Sequence, residues 1–478
     1  MLILSSLYFA SINASSLSDG PWGPTDPVAD PNAMVIVTAP FSATTLSTVR
    51  FTVLTDRVIR IERGPGEDRK TLAVINRKLP VPYFQHWKSD NGRVFYIQTK
   101  CLTLMYEIGT EFASDTLQIQ GQMYCYDHFN SSNSNSSKDT PLWSYHYGDQ
   151  DPGNLLGTIR TLDNKRAETL DCSRQTDEAH CEYGLISRSG YAIVNDTLNY
   201  ALDNTEDWWD RPNRNQEDLY FFGHGHDYKA ALQDYRQIGG YIPQLPRYAL
   251  GVWFSRWYDY TPASAAKVVQ QFEQYTLPLD VFVLDMNWHT KNDWTGYSFD
   301  RRLFQTSRDA VAYLKARGLA VTLNLHDANG VNPWEEKYSD MCRAMKSCTD
   351  GERIEFSIVN QTTMYALEDV VLQPLEEKDG VDFWWIDWQQ GEEGPGGAAG
   401  GKQNPTIWTA HVRSTDANRR RQQVHATATS SNNIRRSMVL ARWGGLGAHR
   451  YPVHFSGDVD GLTWSNLAYQ PYFSMVRT

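Results

Sequence analysis

Three aspartates stand at the ends of apolar, strand-like runs: Asp285 in VLDMNWH, Asp387 in WWIDWQQG and Asp458 in FSGDV. Any one of them is equally well explained as a helix cap or turn former. Three together, beside Trp and Arg, point further, because paired carboxylates suit cleavage of a glycosidic bond: one attacks the anomeric carbon while the other protonates the departing oxygen. Asp387 ends the most apolar run and has Trp385 and Trp388 on either side. Such aromatic walls would exclude water and hold a pyranose ring. Asp458 follows Gly457, whose missing side chain lets the backbone come close to a ligand. As the acid it would need its proton retained by the negative charge of the nucleophile.

The elements that would carry these residues follow from the hydrophobic pattern. From residue 248 onward the runs YALGVWF, LDVFVLDM, LAVTLNL, VDFWWID, SMVLARW and PVHFSGD alternate with helical segments, the pattern of parallel βαβ units. TPASAAKVVQQFEQY opens with a Thr cap and a first-turn Pro, and SRDAVAYLKARG stops at Gly318. Six such strands predict a (β/α)8 TIM barrel, whose reactive groups project from the carboxyl ends of its strands. A dinucleotide-binding sheet would want GxGxxG after its first strand, and that is missing. Before the barrel, residues 33–245 read as short alternating runs such as VRFTVL and VFYIQT separated by turns, an antiparallel β-sandwich. The expected division is a signal-like or disordered stretch 1–32, the sandwich 33–245 and the barrel 246–478. The Arg-rich segment RSTDANRRRQQVHATATSSNNIRRS, 413–437, is expected to be a solvated excursion at the barrel edge.

A chain of 478 residues exceeds what one core usually supports, hence at least two domains. Lys and Arg number 45 against 56 Asp and Glu, a formal charge of -11, which disfavours nucleic acid or an anionic membrane as partner. No later apolar run approaches the ~20 residues of a membrane span. LILSSLYFA near the start reads as a secretory h-region without its basic flank. Sequons at Asn13, Asn130, Asn135, Asn195 and Asn360, and three sequence-near cysteine couples (101 with 125, 172 with 181, 342 with 348), fit a secretory or extracellular location. His224 and His226 have metal-like spacing but no third clustered ligand, so a structural role is expected, with no metal and no cofactor. His326, after the third strand in LNLHDANG, either faces the pocket or is a satisfied loop histidine, and Asp293 and Asp300 are read as turn residues.

WWIDWQQG resembles the nucleophile signature of glycoside hydrolase family 31, commonly W-I-D-M-N-E. ARWGGLGAHRYPVHFSGDV resembles the acid/base region R-x-x-x-G-S-G-R-Y-x-x-H-W-x-G-D, with Arg442 and Asp458 keeping its spacing of 16 and Phe455 where Trp is common. VLDMNWH resembles the second-strand motif L-D-I-D-Y-M. DLYFFGHGHDYKAALQDYRQIGGYIPQLPRYALG is similar to the linker into the barrel, and YGLISRSGYAIVND to the end of the sandwich, so the likeness covers almost everything after residue 33. It implies Asp387 as nucleophile, Asp458 as acid/base, and Asp285, Trp385, Arg442 and Phe455 as sugar-binding residues. The implied activity is a retaining exo-α-glycosidase on an α-linked oligosaccharide or glycoside, glucose first. Its rivals are an α-galactosidase, an α-xylosidase, an α-transglucosylase or a catalytically dead carbohydrate-binding fragment. Asn287-Trp288 replace the usual Asp-Tyr, and Gln389-Gln390 the usual Asn-Glu. The last residues, QPYFSMVRT, fall just past the sixth strand, so about six of eight strands are expected and a weakened enzyme with them.

Overall fold

The computed structural model describes residues 22–40, 46–122, 125, 142–155, 183–203, 208–212, 216–290, 293–346, 348–349, 351–387, 405–427, 437–442, 445–455, 457–458, 463–465 and 467–468. Its first part is antiparallel. One sheet, ordered β1-β2-β3-β12-β9, is made of β1 (Met34–Pro40), β2 (Leu46–Thr55), β3 (Val58–Arg63), β9 (Ala192–Asn195) and β12 (Glu217–Phe222). A second contains β4 (Gln85–Lys88), β5 (Val94–Gln98), β6 (Leu102–Glu107), β7 (Leu117–Gly121) and β8 (Ser144–His146) in sequence order. Alternation decides how they meet: Val49, Phe51, Ile59, Ile61, Leu219 and Phe221 from the first sheet share one core with Phe95, Ile97, Leu102, Leu104 and Ile119 from the second. A disulfide joins Cys101 to Cys125. A short ribbon pairs β10 (Tyr200–Leu202) with β11 (Trp209–Pro212).

Beyond helix α1 (Tyr228–Gly239) the chain changes to a parallel sheet in sequential order, β13 (Trp253–Arg256), β14 (Val281–Leu284), β15 (Ala320–Leu325), β16 (Phe383–Ile386) and β17 (Val439–Ala441). The three central strands are buried along their whole length, as parallel strands covered on both faces must be. Val281, Val283, Ala320, Phe383, Trp385 and Leu440 turn to one face. Phe282, Leu284, Val321, Leu323, Trp384 and Ile386 turn to the other and pack with the helical layer. That layer includes α2 (Pro262–Gln274), α3 (Ser307–Ala316), α4 (Tyr338–Met345), α5 (Gln361–Ala366) and α6 (Pro405–Thr427). Thr261 caps α2 reciprocally with Ser264, and Gly318 leaves α3 with φ +78°, where a side chain would be strained. A second disulfide joins Cys342 to Cys348; residues 172 and 181 lie outside the described residues.

Three expectations need correction. The described residues contain five parallel strands, not six: residues 452–455 run beside β17, with the Ala441 N–H donating to the Val453 carbonyl at 2.9 Å, but the pairing amounts to one bridge between Ala441 and His454. Segment 413–437 is not simply a solvated excursion, because its first fifteen residues belong to α6, where Arg413, Ser414 and Asp416 are buried. Folded structure also begins before residue 33. Trp22 is buried edge-on to Tyr451, and its indole N–H donates to the Arg450 carbonyl at 3.1 Å. No described helix is long and apolar enough to cross a membrane.

Candidate active site

Parallel register sets where each strand delivers its next residue. Leu284 pairs with Leu323, Leu325 with Ile386, and Ile386 with Ala441. One step further, Asp285 comes beside Asn324, and His326, Asp387 and Arg442 form a row. The period of two along each strand puts Asp387 on the side of Phe383 and Trp385, and Arg442 on the side of Leu440.

Asp387 is 5% exposed. Its Oδ2 accepts from Asn324 Nδ2 at 2.7 Å and lies 3.5 Å from His326 Nε2. Its Oδ1 accepts from Arg442 Nε at 2.5 Å and is 2.5 Å from Nη2. Burial pushes this carboxyl up, but the His326 hydrogen bond and the Arg442 charge outweigh it and hold Asp387 below the ordinary carboxylate value. The same Arg442 Nη2 is 3.3 Å from Asp458 Oδ2. Because that nitrogen touches one oxygen at 2.5 Å and the other at 3.3 Å, the two oxygens are separated by no more than the sum of these contacts, about 5.8 Å. Asp458 is 62% exposed at its side chain and follows Gly457 at φ +85°.

Asp285 accepts from the backbone N–H of Met286 at 2.7 Å. Burial raises its pKa, the Met286 bond opposes this, and the charges of Asp387 and Asp458 add to the rise, so the three carboxyls feel one another. Trp385 meets Phe455 edge-on with ring centroids 5.2 Å apart. The Arg442 guanidinium lies 4.8 Å from the Phe455 ring centre, a cation–π contact that holds it toward the carboxylates.

All six residues singled out from sequence thus lie around one place. Two more join them: Asn324, which sequence reasoning passed over, and His326, which it left open between the pocket and its own loop. His326 is buried against the Trp294 ring, 4.8 Å between centroids, and faces Asp387 instead of serving only its own loop. The signal was present: a polar Asn inside the fully buried run TLNL, with His326 two positions on and on the same face. Among the described residues, Asn324 Oδ1, His326 Nδ1 and Trp385 Nε1 are buried and make no hydrogen bond. Buried polar atoms seldom go without partners, and three of them beside ionised groups mark a lining suited to a polar ligand.

The replaced motif residues have local duties. Asn287 accepts from Trp257 Nε1 at 2.9 Å and donates to Asp259 at 2.6 Å, and the buried Trp288 donates to the Asn324 carbonyl at 2.8 Å. Trp388, Gln389 and Gln390 lie outside the described residues. Asp293 accepts from Asn329 and Asn332 at 2.7 and 3.0 Å, and Asp300 pairs with Arg302. His224 contacts Asp234 at 3.0 Å and His226 the Arg188 carbonyl at 3.1 Å. No described group of three His, Cys, Asp or Glu could hold a metal ion.

Residues 242–476 match the model of the glycosyl hydrolases family 31 TIM-barrel domain. An α-xylosidase of Saccharolobus solfataricus is 25% identical over 270 residues, 53% of this chain and 34% of that protein. An α-glucosidase of Bacillus thermoamyloliquefaciens is 34% identical over 104 residues, 22% of this chain and 13% of its own. The match therefore spans about a third or less of these relatives. A family 31 dextranase of Flavobacterium johnsoniae, solved with isomaltotriose, shares the fold with a TM-score of 0.58 at 16% identity, over 93% of this chain and 58% of the dextranase. With its barrel-domain model matched along the parallel sheet, and relatives and fold of the same family, the chain belongs to glycoside hydrolase family 31.

Proposed function

We propose that this protein is a retaining α-glycosidase that removes a terminal α-linked sugar, its parallel sheet forming part of a (β/α)8 barrel. The single observation that carries the reading is Arg442, whose one nitrogen reaches both Asp387 and Asp458. Carboxyl groups held that close suit double displacement, whereas an inverting enzyme leaves room for a water between groups roughly 6.5–9.5 Å apart. Asp387 Oδ bonds the anomeric carbon as the C–O bond to the leaving group breaks, and Asp458 gives its proton to that oxygen. Water then attacks the glycosyl-Asp387 ester, Asp458 takes the water proton, and the sugar leaves with its α configuration. Hydrogen bonds from Asn324, His326 and Arg442 suit a carboxylate that must be ionised to attack. Asp285, Trp385 and Phe455 would hold the sugar.

Glucose is the first reading for that sugar. Xylose is the second, favoured because curated relatives include α-xylosidases. The disulfides Cys101–Cys125 and Cys342–Cys348 support a secreted protein, since such bonds persist in oxidising compartments. A panel of aryl α-glucoside, α-xyloside and α-galactoside, with the product anomer read by proton NMR, tests the reading. Release of the α-anomer from the glucoside is expected. Release of the β-anomer first, or turnover of none, would contradict it.

A further inference from the structure

We infer that Arg413 and Asp327 are positioning residues that fix His326 against the Asp387 carboxylate. The inference rests on Asp387 being the nucleophile. Its starting point is an arginine from the segment expected to be solvated, which instead points inward from α6, the helix that follows β16 in the chain. Arg413 is 2% exposed. Its Nη2 donates to Asp327 Oδ2 at 2.8 Å and its Nε to Glu368 Oε1 at 3.1 Å. The other Asp327 oxygen accepts from Tyr297 Oη at 2.8 Å, and Asp327 itself is wholly buried. Burial raises the Glu368 carboxyl against the pull of Arg413, and the Arg413 contact to Asp327, at 2.8 Å, is the shorter of its two ion pairs, that to Glu368 being 3.1 Å.

A buried ion pair adds little net stability over an apolar pair of the same shape, because desolvation offsets the attraction. What it supplies is fixed geometry, here at the residue next to His326. From there the contact runs through His326 Nε2 to Asp387 Oδ2 at 3.5 Å. Further along the loop, Asn329 and Asn332 are held by Asp293 and the Gly330 N–H by the Asp327 carbonyl. The loop thus has little freedom except through its Asp327 anchor. His326 Nδ1 has no hydrogen-bond partner among the described residues, so no bond of its own ring fixes the imidazole from the other side.

The test uses the full chain with Arg413→Lys, which keeps the charge but loses the planar fork, and Asp327→Asn, which keeps an acceptor for Tyr297. Hydrogen exchange read by mass spectrometry should speed up about tenfold in peptides covering 324–332 in both variants, while α2 keeps its wild-type rate. Asp387 is faced by His326, Arg442 and Asp285 and, across Arg442, by Asp458, and the variants disturb His326 alone of these. Losing its hydrogen bond lets burial raise the carboxyl, so the acid limb of kcat/KM should move up by about one pH unit, a tenfold loss on that limb. Wild-type exchange in 324–332 overturns the inference with or without turnover. So does an unmoved acid limb in an active variant. If the wild-type protein hydrolyses no α-glycoside, the glycosidase reading has failed, and the exchange result decides the positioning role by itself.

Discussion

Two clusters of buried charge can be set side by side, one on the antiparallel sheet β1-β2-β3-β12-β9 and one at the carboxyl end of the parallel sheet. In the first, Arg60 donates through Nε and Nη2 to both oxygens of Asp218 and through Nη1 to Asp68, while its Nη2 also reaches the Glu67 carbonyl. Arg50 grips Glu62 in the same forked way. Every donor nitrogen of these two guanidiniums has an acceptor. In the second, one arginine serves two carboxylates, a third carboxyl stands near, Asp458 is exposed, and polar atoms of Asn324, His326 and Trp385 have no partner among the described residues. A network in which each carboxylate is gripped by a guanidinium holds strands in register, even though Arg69 Nε and Arg77 Nη2 beside it make no hydrogen bond among the described residues. An open one, with excess negative charge and unused donors and acceptors, is arranged for something that comes and goes.

The largest effect should come from the open cluster. With Asp387 as the proposed nucleophile, Asp387→Ala should lower kcat/KM by at least about 10⁴-fold on aryl glycosides and disaccharides alike, with azide entering the space left by the carboxylate and restoring turnover as a glycosyl azide of inverted configuration. Asp458→Ala should discriminate between leaving groups: about 10³-fold loss on disaccharides, whose alkoxide needs a proton, and far less on activated aryl glycosides. Equal losses on both would remove Asp458 from the acid role. The closed cluster should respond in stability instead. Arg60→Leu strands Asp218 without its fork and should cost roughly 3–5 kcal/mol in denaturant unfolding, while turnover per folded molecule is unchanged. A variant as stable as wild type would show that the network does not brace the sheet.

The smallest effect concerns pH. Burial pushes Asp218 up, but Arg60 overrides it and lowers the carboxyl to about 2. A depressed acid contributes stability that is fully present above its unfolded value, about 3.9, and is lost as pH falls through the folded one. Thermal stability should therefore decline between about pH 4 and pH 2, and Asp218→Asn should flatten part of that decline. An unchanged slope in the variant would mean that other carboxyls dominate acid unfolding.

How much of this could be read from the sequence differs between the same two regions. Asp285 and Asp387 were legible because each follows a buried strand, whose period of two fixes which side its next residue takes, and Asp458 through the Gly457-Asp458 pair that closes its motif. Asn324 and His326 were open to the same reasoning, yet a histidine after a strand has too many local uses for spacing alone to single it out. Arg413 was not legible. Its neighbours Arg419, Arg420 and Arg421 make the segment look solvated, and only the approach of Asp327 and Glu368, 86 and 45 positions earlier in the chain, gives it buried partners. The Arg60 network was equally hidden, since Asp218 lies 158 residues away on a strand that pairs with β3 only in the folded sheet.

The role of Asp387 is tested most directly by trapping. The protein is incubated with a 5-fluoro-α-glucosyl fluoride, whose ring fluorine slows both steps while its fluoride leaving group keeps formation of the glycosyl ester faster than hydrolysis, and then examined by intact mass and peptide mapping. The expected result is one fluoroglucosyl group per chain, on the peptide containing Asp387, absent in Asp387→Asn and lost over time as activity returns. Attachment to Asp285 or Asp458 instead, or turnover of the fluoride with inversion and no adduct, would contradict the assignment of Asp387 as nucleophile.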